Sequence, residues 1–303
     1  MNKKNCCQKA IFFDLFETLV SPPSKEDIEE WLKNRGANIQ GEPSKWLKSG
    51  FSFALVADEL DINLTILRDE LLVNDFDNIE EMFNFSERIA QTSKKLSKYT
   101  KDFTKDFIKF IIKNTRLYEG VHELLKTLYN RGYAVFILSN LISPYKEILS
   151  LHSCLSHWIK AEYFSCRMGV KKPDLKFFQT AIVKSGVSPD QTWMVGDNWK
   201  SDIMGGFQAN LNLIYVDRQV DPFISYLVRY GLTGLLQIYD GRVEIKREYR
   251  PLLEERLCVP LKVIEENMLK SIYLDNNNYI KLHCMQRINY ASNITETLNF
   301  FDY

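Results

Sequence analysis

The chain has 303 residues, with 39 Lys+Arg against 39 Asp+Glu, so its formal net charge is zero and the basic excess of a phosphate-neutralising nucleic-acid binder is excluded. Hydrophobic residues at 45% and aromatics at 13% supply a packed core and exclude a disordered chain. No run approaches the ~20 apolar residues of a membrane-crossing helix, and the length suits about two domains.

At the N-terminus, Lys3 and Lys4 are followed by an apolar run only from Ala10 to Phe13. That is shorter than the roughly 7–15 apolar residues of a secretory signal. The expectation is a cytoplasmic protein with neither nucleic acid nor membrane as partner. Cys6 and Cys7 are adjacent, Cys154, Cys166, Cys258 and Cys284 are scattered, and the four histidines complete no zinc spacing. Reduced thiols are expected, with no disulfide frame and no zinc.

Ala10 to Phe13, bounded by Asp14, reads as a buried parallel strand. Residues 21–117 then carry helical spacing, as in Ile28, Trp31 and Leu32 or Phe103, Phe107, Phe110 and Ile111, with Ser44 and Thr65 as expected N-caps. Trp31 and Trp46 are expected to fill the core of this helical insert. The lysines at 94, 95, 98, 101 and 105 read as a solvated face.

From Tyr118 onward helix and strand alternate. The spacing predicts a helix over 121–129 stopped at Gly132, a strand over 134–138 and a weaker one over 159–164. A helix over 174–185, a strand over 192–195, a helix around 201–209 and a strand over 211–216 follow. Such alternation predicts an α/β fold, a Rossmann-like doubly wound parallel sheet whose ligands bind outside the carboxyl ends of the strands. Residues 217–303 break the pattern. Tyr239-Asp240-Gly241-Arg242 signals a hairpin, and Asp275 to Asn278 a second turn before a strand over 279–282. A small C-terminal α+β appendage of unread role is expected, a surface for a homodimer or protein partner.

Polar residues stand at or just beyond four strand ends: Asp14, Ser139, Lys172, and Asp197 with Asp202. Singly each has a bland reading, since Asp caps turns and Ser caps helices. Together a doubly wound sheet delivers them to one rim.

With these residues the chain resembles the haloacid dehalogenase superfamily. FFDLFETLV at 12–20 resembles its first motif, and LYEGVHELLKTLYNRGYAVFILSN at 117–140 resembles the approach to the second. GVKKPDLKFF at 169–178 resembles the third and MVGDNWKSDIMGG at 194–206 the fourth. The resemblance implies a core of residues 1–20 and 118–216, a cap domain at 21–117, and an extension, 217–303, outside it. It implies Asp14 as nucleophile toward a small phosphorylated metabolite, through an aspartyl-phosphate. Asp14, Asp197, Asp202 and the Phe16 backbone carbonyl would hold Mg²⁺. Lys172 would steady negative charge, and Thr18, Ser139 and Asn140 would serve the phosphate. Carboxylates, a hard cation and phosphate suit one another chemically.

One departure stands out. Most phosphatases of the family carry a second Asp two residues after the nucleophile as general acid, and here that position is Phe16. General acid catalysis contributes about 10²–10⁴-fold, so leaving groups that need no proton are favoured. Glu17 is a possible substitute, although neighbours in an extended segment point apart. Three readings stay open: a Mg²⁺-dependent phosphatase, a catalytically weak binding or regulatory protein, and a 2-haloacid dehalogenase, which Phe16 suits but the acidic fourth motif does not.

Overall fold

Ala10–Phe13 (β1) is wholly buried, as a four-residue apolar run must be when both its faces are covered. The computed structural model describes residues 9–36, 45, 47, 50–216, 236–239, 242–245, 288–291 and 294–301. β1 pairs in parallel with Ala134–Ser139 (β4) on one side and Thr192–Gly196 (β6) on the other. Ile159–Phe164 (β5) lies outside β4, and Asn212–Val216 (β7) outside β6. The expected α/β doubly wound sheet is formed, with Ile288–Ala291 (β10) outermost, in the order β10-β7-β6-β1-β4-β5.

Alternate residues of the strands enter two apolar clusters. Ile11, Phe13, Val135, Ile137 and Val195 face one side, while Ala10, Phe12, Phe136, Leu138 and Met194 face the other. The second side is closed by Leu175–Ser185 (α10) and Gly205–Gln208 (α11). Between β4 and β5 run a 3₁₀ turn at Ser143–Lys146 and the helices Glu147–Leu151 (α7) and Ser153–Trp158 (α8). Ser165–Met168 (α9) follows β5.

The segment after β1 is helical, as its periodicity predicts. A short ribbon leads in and out of it, Val20–Ser21 (β2) against Arg116–Leu117 (β3). Between them lie Lys25–Asn34 (α1), Ala54–Leu60 (α2), Leu64–Val73 (α3), Ile79–Ile89 (α4) and Lys98–Asn114 (α5). Trp31 fills the core expected for it, with its ring 5.1–5.4 Å from Phe103, Phe107 and Phe110. Its companions Trp46 and Ser44 lie outside the described residues. The N-cap of α3 is Asn63 rather than Thr65, because the Asn63 side chain accepts from the N–H groups of both Thr65 and Ile66. Lys95 and Lys101 of the basic face pair with Glu87, and Lys105 pairs with Glu80.

Within 217–303 one described hairpin stands as its own small sheet, while the last described strand joins the main sheet. The hairpin is present, with Leu236–Tyr239 (β8) antiparallel to Arg242–Ile245 (β9) across the expected turn. The turn at 275–278 and the strand over 279–282 lie outside the described residues. Ile288–Ala291 (β10), however, returns to the main sheet as its outer strand, parallel to β7. A 3₁₀ turn at Thr295–Phe300 then packs onto Val121–Asn130 (α6). The Tyr133 hydroxyl donates to the Phe301 carbonyl at 2.9 Å, and the Phe301 ring lies 5.4 Å from Tyr133 and 5.7 Å from Trp193. Gly120, with φ 80°, opens α6 where a Cβ would stand 2.1 Å from the Thr295 methyl. Sequence reading missed this return because β10 is short and 71 residues of chain, 217–287, separate it from its partner.

Candidate active site

The register of β1 with β4 and β6 brings Phe13 level with Ile137 and Val195. The next residue, Asp14, therefore leaves the sheet between two neighbouring strand ends, held by its N–H to the Val195 carbonyl at 2.9 Å. Ser139 ends β4 and is buried. Lys172 enters from the loop ahead of α10, and Asp197 and Asp202 follow β6. The topology thus gathers the expected polar residues at the carboxyl rim.

Lys172 is the centre of this group. Its Nζ donates to Asp14 Oδ1 at 2.8 Å and to the Leu138 carbonyl at 2.7 Å. Asp202 Oδ1 lies 2.6 Å from the same nitrogen, an ion pair outside hydrogen-bonding angles. Burial alone would lower the Lys172 ammonium, but Asp14 and Asp202 outweigh it and raise it above its ordinary value. A buried lysine with two carboxylates stays charged.

Ligand oxygens of Asp14, Asp197 and Asp202 lie within 4.8 Å of one another, with Asp14 and Asp202 buried and Asp197 half-buried. Burial, then the charges of Asp14 and Asp202, pushes the Asp197 carboxyl up to about 8. Burial pushes Asp202 up to about 6, with the Lys172 charge opposing it. One ammonium therefore does not satisfy three carboxylates. An all-oxygen donor set with surplus negative charge fits a hard divalent cation such as Mg²⁺.

The remaining expected residues fall around this cluster. The Thr18 hydroxyl, fully buried, donates to Asp197 Oδ1 at 3.1 Å. Asn140 grips the Lys172 backbone in both directions: its Oδ1 accepts the Lys172 N–H at 2.8 Å, and its Nδ2 donates to the Lys172 carbonyl at 2.9 Å. Phe16 is half-buried and sets its ring edge-on to Tyr145, centroids 5.7 Å apart. Burial pushes the Tyr145 phenol up to about 12, and its hydroxyl donates to Ser52 Oγ in the helical segment at 3.1 Å. Glu17, in the left-handed region at φ 56°, accepts from the Tyr118 hydroxyl at 2.5 Å. The Trp199 side chain lies outside the described residues.

Sequence reading passed over three supporting residues. A Cβ on Gly196 would stand 2.2 Å from Asp202 Oδ2, so only glycine lets that carboxylate lie across the strand end. The Asn198 N–H donates to Asp202 Oδ2 at 3.0 Å, and its side chain caps a π-turn at Trp199–Met204, where a plain helix was expected. Tyr145 had no signal beyond its place after the second motif. The GDN triplet at 196–198 does carry one, since glycine beside an acidic strand end implies a close approach.

The helical segment is fastened to the loops bearing these residues. Asp75 accepts from Ser143 at 2.7 Å and from Lys146 at 2.6 Å, the Phe76 N–H donates to Ser143 Oγ at 3.0 Å, and Asp69 pairs with Lys171.

A doubly wound parallel sheet with carboxylates and a lysine converging outside its strand ends defines a class of α/β proteins that bind ligands at that rim. Within that class, the model of the haloacid dehalogenase-like hydrolases matches residues 53–216, over half the chain, and the chain belongs to that family. Asp14 lies ahead of the matched span, so its placement rests on the sheet register. The phosphoserine phosphatase of Thermus thermophilus is 30% identical over 106 residues, 35% of this chain and 43% of that protein. The match thus spans less than half of that relative. Pyrimidine 5′-nucleotidase PynA of Streptococcus pneumoniae is 25% identical over 211 residues, 68% of this chain and 83% of that protein. The solved structure of a HAD family enzyme from Bacteroides thetaiotaomicron is 16% identical, with TM-score 0.48 over 71% of this chain and 96% of that one. No described helix is long and apolar enough to cross a membrane.

Proposed function

We propose that the chain is a Mg²⁺-dependent phosphatase acting on a small phosphorylated metabolite through an aspartyl-phosphate on Asp14. The observation that carries this reading is the Asp14–Asp197–Asp202 cluster with Lys172 driven into it. Asp14, Asp197, Asp202 and the Phe16 carbonyl would hold Mg²⁺, which when bound neutralises carboxylates and phosphate so that an anionic nucleophile can approach an anionic substrate. The Asp14 carboxylate attacks phosphorus, and the leaving oxygen departs with its electron pair. The Lys172 ammonium offsets charge on the carboxylate and the phosphoryl oxygens, and its orientation depends on the Asn140 clamp. The Ser139 hydroxyl and the Asn140 N–H hold a phosphoryl oxygen. Water then cleaves the acyl phosphate and regenerates Asp14. The helical segment at 21–117 serves as the cap that excludes bulk water.

The preferred substrates have leaving groups stable without a proton, such as acyl or aryl phosphates. Two contacts support this. The Phe16 ring occupies the place of the missing acid and packs on a phenol held protonated. The Glu17 carboxylate is engaged by Tyr118.

Hydrolysis of acetyl phosphate and p-nitrophenyl phosphate, in Mg²⁺ and in EDTA, tests the reading. Turnover that requires Mg²⁺, vanishes in Asp14→Asn and exceeds that of an alkyl phosphate by about 10²-fold or more is expected. No turnover by the folded protein would favour a binding protein, and halide release from a 2-haloacid without metal would favour a dehalogenase.

A further inference from the structure

On the lower half of α5 the lysines lose their partners. Lys101 and Lys105 reach Glu87 and Glu80 of α4, whereas Lys109 and Lys113, one and two turns further, have no ion pair among the described residues. Arg116 of β3 has none either, nor does Glu147 of α7. All four line one open groove of about 690 Å³, with Ile112, Leu117 and Leu151 as its apolar surface and His152 also in its lining. Three cations face a single carboxylate in a chain whose net charge is zero.

His152 adds no charge, since burial lowers it. Its Nε2 is shielded and has no hydrogen-bond partner among the described residues. Groove volumes of this order hold metabolite-sized ligands. We propose that the groove binds an organic phosphate, its phosphate among Lys109, Lys113 and Arg116 and its carbon body along Ile112, Leu117 and Leu151.

The location gives such binding a consequence. Leu117 pairs with Val20 in the ribbon that joins the helical segment to the Asp14 loop, and the Tyr118 N–H bonds the Leu19 carbonyl at 3.1 Å. An occupant touching α5, β3 and α7 at once ties the helical segment to the sheet domain at their junction. Its expected effect is on KM, through opening and closing, rather than on the chemical step. The groove stands independently of the reaction at the rim.

The test is titration of the full chain with AMP and with inorganic phosphate in EDTA, read by calorimetry and by backbone amide shifts. AMP should shift the amides of Lys113, Arg116 and His152 and bind more tightly than phosphate. Lys113→Glu/Arg116→Glu should weaken AMP at least tenfold while turnover without AMP stays within twofold. Lys109→Gln/Lys113→Gln makes the same comparison should the double charge reversal fail to fold. Shifts confined to residues around Asp14 and Asn140, or undiminished affinity in the variants, would overturn the proposal.

Discussion

The carboxyl rim and the outer β7–β10 edge of the same sheet are built on opposite terms. At the rim, three carboxylates crowd one lysine, and two of them are pushed up toward neutral pH. Behind that edge, the chain following β10 packs Phe301 ring against ring with Tyr133 and Trp193, and the Phe301 carbonyl accepts from the Tyr133 hydroxyl. The rim spends stability on crowded charge, and the edge supplies stability through packing. Perturbing the two should therefore move stability and activity in different combinations.

The largest effect is expected at the edge. Phe301→Ala removes a nearly fully buried ring and should cost about 3–5 kcal/mol, seen as a fall in denaturation midpoint. Any activity lost should track the unfolded fraction. Gly196→Ala comes next, because its methyl displaces the Asp202 carboxylate; a loss of about 1–3 kcal/mol together with a collapse of Mg²⁺-dependent turnover is expected. An edge substitution that abolished turnover in folded protein would break the comparison.

Asp197→Asn should do the reverse at the rim. A carboxyl raised from 3.8 to about 8 binds a proton in the folded state that the unfolded state has released. Stability of the metal-free protein therefore falls as pH rises from about 4 to about 8. In EDTA at pH 8, Asp197→Asn should raise the melting temperature by a few degrees, about 1–2 kcal/mol, while the wild type gains more from Mg²⁺ at pH 8 than at pH 6. A lower melting temperature for the variant in EDTA would contradict the charge-crowding account. An effect of similar size and opposite sign is expected from Asn140→Ala, a loss of about 1–2 kcal/mol for two lost hydrogen bonds to the Lys172 backbone. Its kcat should fall more than its KM rises, since the lysine loses orientation rather than charge.

The two regions also differ in how far the sequence disclosed them. β1, β4 and β6 are short apolar runs that end in polar residues, so strand ends and rim residues appear together in a linear reading. Asp14, Ser139, Lys172, Asp197 and Asp202 converge for that reason. Side-chain partners are another matter. Asn140 was expected to serve phosphate through its backbone, and nothing in the spacing revealed that its amide matches the Lys172 peptide. The Asn198 cap replaced an ordinary helix by a π-turn for an equally local reason, its hold on Ser201 and Asp202. The edge was illegible because pairing between Ile288–Ala291 and Leu213–Val216 depends on chain that comes back from far away, and a four-residue strand carries no periodicity to announce it.

The central claim is that Asp14 takes the phosphoryl group. The direct measurement is acid-quenched incubation with radiolabelled acetyl phosphate in Mg²⁺, followed by borohydride reduction and peptide mapping. The account predicts label on the peptide containing Asp14, none in EDTA and none in Asp14→Asn. Steady turnover with no label on Asp14, or label that persists in Asp14→Asn, would contradict it.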